Sequence, residues 1–304
     1  MKKIIITGSS GFVGINLVKN LSIKHNLICP DRNDLKNIFE KKSDFDGVIH
    51  LAGKAHDLLN ISNDEEYYDV NTLLTKDIFN KFIKSKSSFF IFFSSVKASA
   101  DSINGILKED NIPNPKTAYG NSKLKAENYI LNEIKKINLK KINKRIYIIR
   151  PSMIHGPNNK GNLNLLFNVV KKGIPWPLGN FKNQRSFCSI DNLIYIINKL
   201  ILGDKIKSGI YNVCDDEAIS TNDLIKLMSS QLNKKNFILN ISPRFIKLIA
   251  NIGDVLNFPL NNERLKKLTE SYVVSNKKIK NELNLSKMPY NARDGFIKTI
   301  NSFK

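Results

Sequence analysis

The chain opens on a short apolar run, Ile4-Ile5-Ile6, that leads straight into Thr7-Gly8-Ser9-Ser10-Gly11-Phe12-Val13-Gly14. No other feature narrows the possible folds so far. Glycine at the first position permits a tight strand-to-helix turn. At the second, the missing side chain lets backbone N–H groups approach a phosphate. At the third, helix and sheet can pack closely. The helix that follows points its positive end at the same spot. Gly8, Ser10, Gly11, Phe12, Val13 and Gly14 thus form a candidate cradle for a dinucleotide pyrophosphate. A plain glycine turn shares this spacing, so the weight rests on the flanking strand, the flanking helix and the place at the chain start.

The next carboxylate of interest is Asp31, seventeen residues after Gly14, at the end of a second strand candidate. A carboxylate there can accept hydrogen bonds from an adenosine ribose and repel a 2′-phosphate, which favours NAD. Arg32 follows at once and can pair with that phosphate, so NADP is the alternative. Asp46, before the third strand, can meet the adenine edge or simply sit in solvent.

Strand candidates at Lys3–Thr7, Asn26–Cys29, Gly47–Ala52, Phe89–Ser94 and Arg145–Arg150 alternate with helical patterns near Gly11–Leu21, Glu66–Ile83 and Ala118–Ile134. Such alternation implies a parallel sheet covered on both faces, and right-handed crossovers then give a doubly wound fold. After Arg150-Pro151 the pattern loosens, with frequent Gly, Pro and Asn through 156–183. A strand returns at Gly209–Val213, and helices follow near Thr221–Leu232, Arg244–Leu256 and Asn276–Leu283. The expected class is therefore α/β: a Rossmann-type doubly wound parallel sheet with a smaller, discontinuous C-terminal substrate lobe. Residues 1–155 form the dinucleotide domain, revisited near 186–215, and 156–304 form mainly the lobe. Arg244–Leu256 is amphipathic. Packing into the lobe is the default for it, and contact with a membrane or a partner is the alternative.

Tyr119 and Lys123, four residues apart, share one helix face. A free tyrosine has a pKa of about 10, and a neighbouring ammonium favours the phenolate. Lys123 can also hydrogen-bond a nicotinamide ribose. Ser95, at the end of the fourth strand, lies where parallel sheets present ligands, and its hydroxyl can hold a substrate oxygen. A Tyr-x-x-x-Lys pair alone often marks nothing more than a surface helix. The glycine turn and Ser95 upstream argue for proton transfer coupled to hydride transfer.

Taken together, Thr7–Gly14, His50-Leu51-Ala52-Gly53, Tyr67-Tyr68-Asp69-Val70-Asn71, Ser94-Ser95, Tyr119–Lys123 and Arg150-Pro151 resemble the extended short-chain dehydrogenases/reductases. More narrowly, they resemble the NAD-dependent nucleotide-sugar epimerase/dehydratase group, including UDP-glucose 4-epimerase-like proteins. The resemblance implies that Ser95, Tyr119 and Lys123 are catalytic. It implies that Leu51, Ala52 and Asn71 join Asp31, Arg32, Tyr119 and Lys123 around the cofactor. It also implies that Asn162 and Arg185 meet a nucleotide-sugar diphosphate. Arg264 is a second such arginine or a surface residue. Trp176 faces a uracil ring or belongs to the core. His155 replaces a frequent tyrosine and reads as structural. Homodimerisation follows from the resemblance alone.

Departures from that pattern matter. Dehydratases of the group carry an acid pair after the hydroxyl, because eliminating water needs a proton donor and a base. Here Val96 and Lys97 follow Ser95, which argues against 4,6-dehydration. Two enzymatic readings remain: a 4-epimerase with bound NAD, and an NAD(P)H-dependent 4-reductase of a 4-keto-6-deoxy sugar. A non-catalytic dinucleotide-binding regulator is the reading of another class.

Composition sets outer bounds. At 304 residues with 41% hydrophobic content, the chain suits a soluble globular protein. No apolar run nears the roughly 18 residues that span a membrane, so a cytoplasmic protein without membrane insertion is expected, at most loosely surface-associated. Cys29, Cys188 and Cys214 are scattered and odd in number, and no metal spacing is present. The net charge of +21 is spread over many segments without a nucleic-acid-binding signature. It steers anionic substrates and calls for no nucleic acid.

Overall fold

The computed structural model describes residues 1–36, 38–41, 44–54, 63–137, 143–159, 161–235, 237–256 and 260–304. Its first half follows the expected alternation. Strand β1 (Lys3–Thr7) leads through the glycine turn into α1 (Phe12–Leu21), then β2 (Asn26–Ile28), the short α2 (Ile38–Lys41) and β3 (Gly47–His50). Helices α3 (Asp64–Tyr68) and α4 (Leu74–Lys84) precede β4 (Phe89–Phe93), and a two-residue strand, β5 (Ile106–Leu107), precedes α5 (Ala118–Lys136). Next come β6 (Arg145–Pro151), β7 (Met153–His155), α6 (Asn162–Lys171), β8 (Phe187–Ser189), α7 (Ile190–Leu202) and β9 (Gly209–Val213). The rest is α8 (Thr221–Gln231), α9 (Pro243–Leu256), α10 (Asn262–Thr269), β10 (Val273–Val274), α11 (Lys277–Glu282) and α12 (Ala292–Asn301).

Six strands form one parallel sheet in the order β2-β1-β3-β4-β6-β9. The chain leaves β1 toward β2 and returns on its other side at β3. That reversal is the switch point at which open α/β sheets bind ligands, and the glycine turn stands over it. The central strand β4, Phe-Phe-Ile-Phe-Phe, is buried along its whole length, as a strand covered on both faces must be. Its odd residues pack with Leu17 and Leu21 of α1 and with Leu193 and Ile197 of α7. Phe90 and Phe92 face Ile78, Phe79 and Phe82 of α4 and Ala126 and Ile130 of α5. A separate cluster around Phe167, Trp176, Met228, Ile246 and Phe296 forms the core of the C-terminal half.

Besides several short strands and the helices α2, α10 and α12, which the sequence reading did not assign, three departures bear on the site and the core. The helix expected over Glu66–Ile83 is interrupted by a π-helical turn at Asp69–Leu73. The Gly- and Asn-rich stretch after Pro151 contains α6. The run Ile190–Leu202, which the sequence reading did not assign, is a helix that buries Ile190, Leu193, Ile196, Ile197, Leu200 and Ile201 at helical spacing against the sheet. Its N-cap is Ser189, whose hydroxyl accepts from Asn192 N. Among the described residues, no helix is long and apolar enough to cross a membrane.

Candidate active site

At the C-terminal end of β4, three consecutive residues each meet one of three successive turns of α5. Lys123 Nζ donates to Phe93 O at 2.9 Å. Ser94 Oγ donates to Glu127. Ser95 and Tyr119 share a hydrogen bond between their side chains. Tyr119, Lys123 and Glu127 are spaced by four, so they form one stripe on the helix. The helix starts where it does because Thr117 caps it, accepting from Gly120 N at 3.2 Å, while Asp101 holds the Thr117 hydroxyl at 3.0 Å. Strand end and helix face are therefore locked in register over three contacts.

The electrostatics of this stripe differ from the expected lowering of Tyr119 by its lysine. Burial pushes the Tyr119 hydroxyl up, the Ser95 hydrogen bond pulls it part of the way back, and Tyr67 adds to the rise. Tyr67 stacks edge-on against Tyr119 with ring centroids 6.2 Å apart. Lys123 itself is only 5% exposed. Burial lowers its ammonium to about 8, against the pull of the Glu127 carboxylate. The lysine is itself buried, and its Nζ donates to the Phe93 carbonyl.

Asn71 sits in the π-helical turn and is fully buried. Its Oδ1 accepts from Lys54 N at 2.8 Å, and its Nδ2 donates to Lys54 O and to Ser122 Oγ. It ties the segment after β3 to α5. A Cβ built on Gly53 would lie 2.9 Å from both Asn71 Oδ1 and Lys123 Nζ, so these two groups converge on one backbone position. A π turn of this kind frequently marks a functional site, and a period count cannot reveal it. Beneath the stripe, His50 bridges Thr7 (2.7 Å) and Thr75 (3.0 Å). Burial, then the Lys123 charge, lowers its imidazole to about 3.

The glycine turn fits a pyrophosphate. Gly8 has φ +72°, and a Cβ there would stand 2.6 Å from Ala52 N; one on Gly14 would stand 2.3 Å from Gly8 O. Both positions admit only glycine. A Cβ on Gly11 would meet nothing closer than 3.5 Å, so the exposed rim of the turn is open. No side chain caps α1 and no acidic residue lies in its first turn, which leaves its N-terminus to an anion. Ser10 is exposed, and Phe12 and Val13 open the helix. Leu51 and Ala52 run alongside: Leu51 N donates to Thr7 O, and Ala52 N to Thr7 Oγ1. Asp31 and Arg32 lie exposed just past β2, and Asp31 Oδ1 accepts from Asn33 N and Asp34 N.

On the other side of the crevice, Lys97 donates to Asp101 O at 2.6 Å and lies 4.5 Å from the centroid of the Tyr272 ring. Burial lowers its ammonium, with Asp101 opposing and Arg185 adding to the fall. Arg185 is partly buried and its Nη1 donates to Lys267 O in α10. Burial lowers it too, against Glu270. Two cations thus lie close enough for each to feel the other's charge. Arg264 is exposed on α10, three residues before Lys267. Asn162 opens α6, and its side chain falls outside the described set.

Asp46 accepts from Lys3 N at 2.6 Å, which puts it at the start of β1, the sheet end opposite the glycine turn, so it cannot meet an adenine there. Trp176 is 6% exposed, packs in the C-terminal core and donates to Asn222. His155 is fully buried, stacked on Phe296 at 4.0 Å and bonded to Thr299, a structural position. The sequence reading did not single out Glu127, and named Arg150 only as part of Arg150-Pro151. Arg150 Nε and Nη2 bind Glu127 Oε1 and Oε2 at 2.9 and 2.5 Å, and both residues are essentially unexposed. The available signal was a carboxylate one turn past Lys123.

A parallel sheet with a phosphate-sized turn at its switch point, and a hydroxyl, a phenol and an ammonium beside it, defines a Rossmann-type dinucleotide-dependent enzyme. The model of the NAD dependent epimerase/dehydratase family matches residues 4–214, and the chain belongs to that family. Over 99% of its length it is 29% identical to UDP-glucose 4-epimerase of Vibrio cholerae, covering 95% of that protein. It is 27% identical to N-acetyl-alpha-D-glucosaminyl-diphospho-ditrans,octacis-undecaprenol 4-epimerase of Escherichia coli O157:H7, over 76% of this chain and 73% of that one. The fold matches that of UDP-N-acetylglucosamine 4-epimerase from Bacillus cereus with a TM-score of 0.75 at 21% identity, covering 100% of this chain and 98% of the other.

Proposed function

We propose that the protein is an NAD-dependent nucleotide-sugar 4-epimerase. One observation carries the reading: Ser95 and Tyr119 share a hydrogen bond, with Lys123 one helical turn behind. In this reading Tyr119 takes the proton of the sugar 4-hydroxyl as general base and later returns it. Ser95 holds the same oxygen as it becomes a carbonyl. Lys123 would hold the nicotinamide ribose, and Asn71 holds the segment around Gly53. When bound, the dinucleotide supplies a reversible hydride sink. Gly8, Ser10, Gly11, Phe12, Val13 and Gly14 would hold its pyrophosphate, Asp31 and Arg32 its adenosine ribose, and Leu51 and Ala52 its flank. Asn162, Arg185 and Arg264 would meet the substrate diphosphate, since guanidinium forks match phosphate oxygens. The V. cholerae and E. coli relatives, both 4-epimerases by name, support the reaction. A UDP carrier is favoured by the first. The division of labour follows the chain, with 1–155 and 186–215 on the coenzyme and the remainder of 156–304 on the sugar. We place the enzyme in the cytoplasm as a homodimer, which sedimentation equilibrium would check.

The deciding experiment incubates the purified protein with UDP-hexoses and their N-acetyl forms without reduced cofactor. Interconversion is expected. Arg32 favours a second reading, a 4-reductase using NADPH. Net consumption of NADPH by a 4-keto sugar, with no interconversion of UDP-hexoses, would replace the first reading by the second.

A further inference from the structure

Helix α9 buries only part of its apolar surface. Ile246 and Ala250 point into the C-terminal core. Phe245, Leu248, Ile252 and Leu256 stay 45–56% exposed. Their spacing of three, four and four residues aligns them along one outward stripe. Phe237 and Leu239, just before the helix, are exposed as well. Six of the sixteen large apolar residues exposed among the described residues therefore fall within residues 237–256. Scattered singly they would need no account; concentrated on one helix they do.

Charge decides what covers such a stripe. Arg244 and Lys247 flank it on the exposed side of the same helix. Between residues 234 and 269, seven basic side chains stand against Asp254 and Glu263. The whole chain carries +21. A second copy would bring the same charge to the contact and be repelled. An anionic lipid surface is attracted by it, and a convex helical stripe with cationic flanks suits burial in a headgroup layer.

We propose that the outward face of α9 docks the protein on anionic membranes as a peripheral, non-spanning contact. Phe245, Leu248, Ile252 and Leu256 enter the interface while Arg244 and Lys247 meet lipid phosphates. Helix α10, which packs on α9, supplies the carbonyl that Arg185 binds, so the docked face adjoins the substrate side of the crevice. The docking is independent of the reaction assigned above.

The test is flotation of the full chain with vesicles of phosphatidylcholine alone and of a phosphatidylcholine–phosphatidylglycerol mixture. The wild type is expected to float with the mixed vesicles only. The variant Leu248→Glu/Ile252→Glu, altered at exposed positions, should keep its circular dichroism spectrum and lose binding by about tenfold or more. Equal flotation of the variant would overturn the proposal and leave dispersed charge as the whole attraction. A wild type that stays in solution would overturn it as well. Self-association or capture of an acidic protein that is lost in the variant, with no vesicle binding, would assign the stripe to that partner instead.

Discussion

Replacing Glu127 by glutamine changes one charge at nearly constant shape, in a place where the charge cannot be missed. Glu127 is fully buried and Arg150 is 1% exposed. The carboxylate accepts two bonds from the guanidinium and one from Ser94. Arg150 Nη1 already has no partner among the described residues. Glutamine keeps one acceptor oxygen and turns an NH2 donor toward a donor. The guanidinium is left charged, buried and half-satisfied. Breaking a buried pair from one side costs about 3–5 kcal/mol. Taking about 4 kcal/mol and roughly 2 °C per kcal/mol for a chain this large, the melting midpoint should fall by roughly 8 °C. Urea unfolding and thermal melts measure it. The control is Glu127→Leu/Arg150→Met, which removes both charges and should recover most of the loss, because an apolar replacement leaves nothing buried and unpaired. A single variant within about 1 kcal/mol of wild type, or a double variant no better than the single, would refute the reasoning.

The remaining predictions concern the same stripe and the turn. Lys123 is held at about 8 in the fold, below its ordinary value, so the folded protein binds fewer protons than the unfolded chain above that pH. Its contribution is a penalty at and below neutrality that is relieved as pH rises through 8 toward 10.5; Lys123→Met should remove that rise from the pH–stability profile, and unchanged slopes would count against the burial. Tyr119→Phe should lower turnover about 10²–10⁴-fold while dinucleotide affinity measured by calorimetry stays nearly constant. Because burial raises Tyr119, wild-type turnover should climb with pH above neutrality, which a pH–rate series would show. Gly8→Ala forces a side chain onto φ +72° and into Ala52, so dinucleotide binding should be lost in a titration monitored by fluorescence.

Much of the site was readable because it rests on local rules. The glycines of the turn and the four-residue spacing of Tyr119 and Lys123 depend on backbone shape and helix geometry, and both stand in the structure as spaced. Ser95 was found because it ends an apolar strand. What escaped was decided between distant segments. Asn71 was named through the resemblance, but the π-helical turn that carries it, which adds one residue to a helix and breaks its period, was not foreseen. Arg150 looked like part of a strand-ending Arg-Pro, yet it is the buried counterion of a helix. Lys97 was noted only because it supplies no acid after Ser95, while in the fold it is a partly buried ammonium that feels Arg185.

The alternation of strands and helices, the glycine turn and the shared helix face of Tyr119 and Lys123 were thus written in the chain itself, because glycine conformations and helical spacing act over a few residues. Which charges those side chains feel was settled by tertiary packing alone. Burial depends on what closes over a group from elsewhere in the chain, and it reversed the expected direction for Tyr119. The same holds for α9: its amphipathic spacing is plain in one dimension, but only assembly of the C-terminal core shows that Ile246 and Ala250 are covered while Phe245, Leu248, Ile252 and Leu256 are left outward.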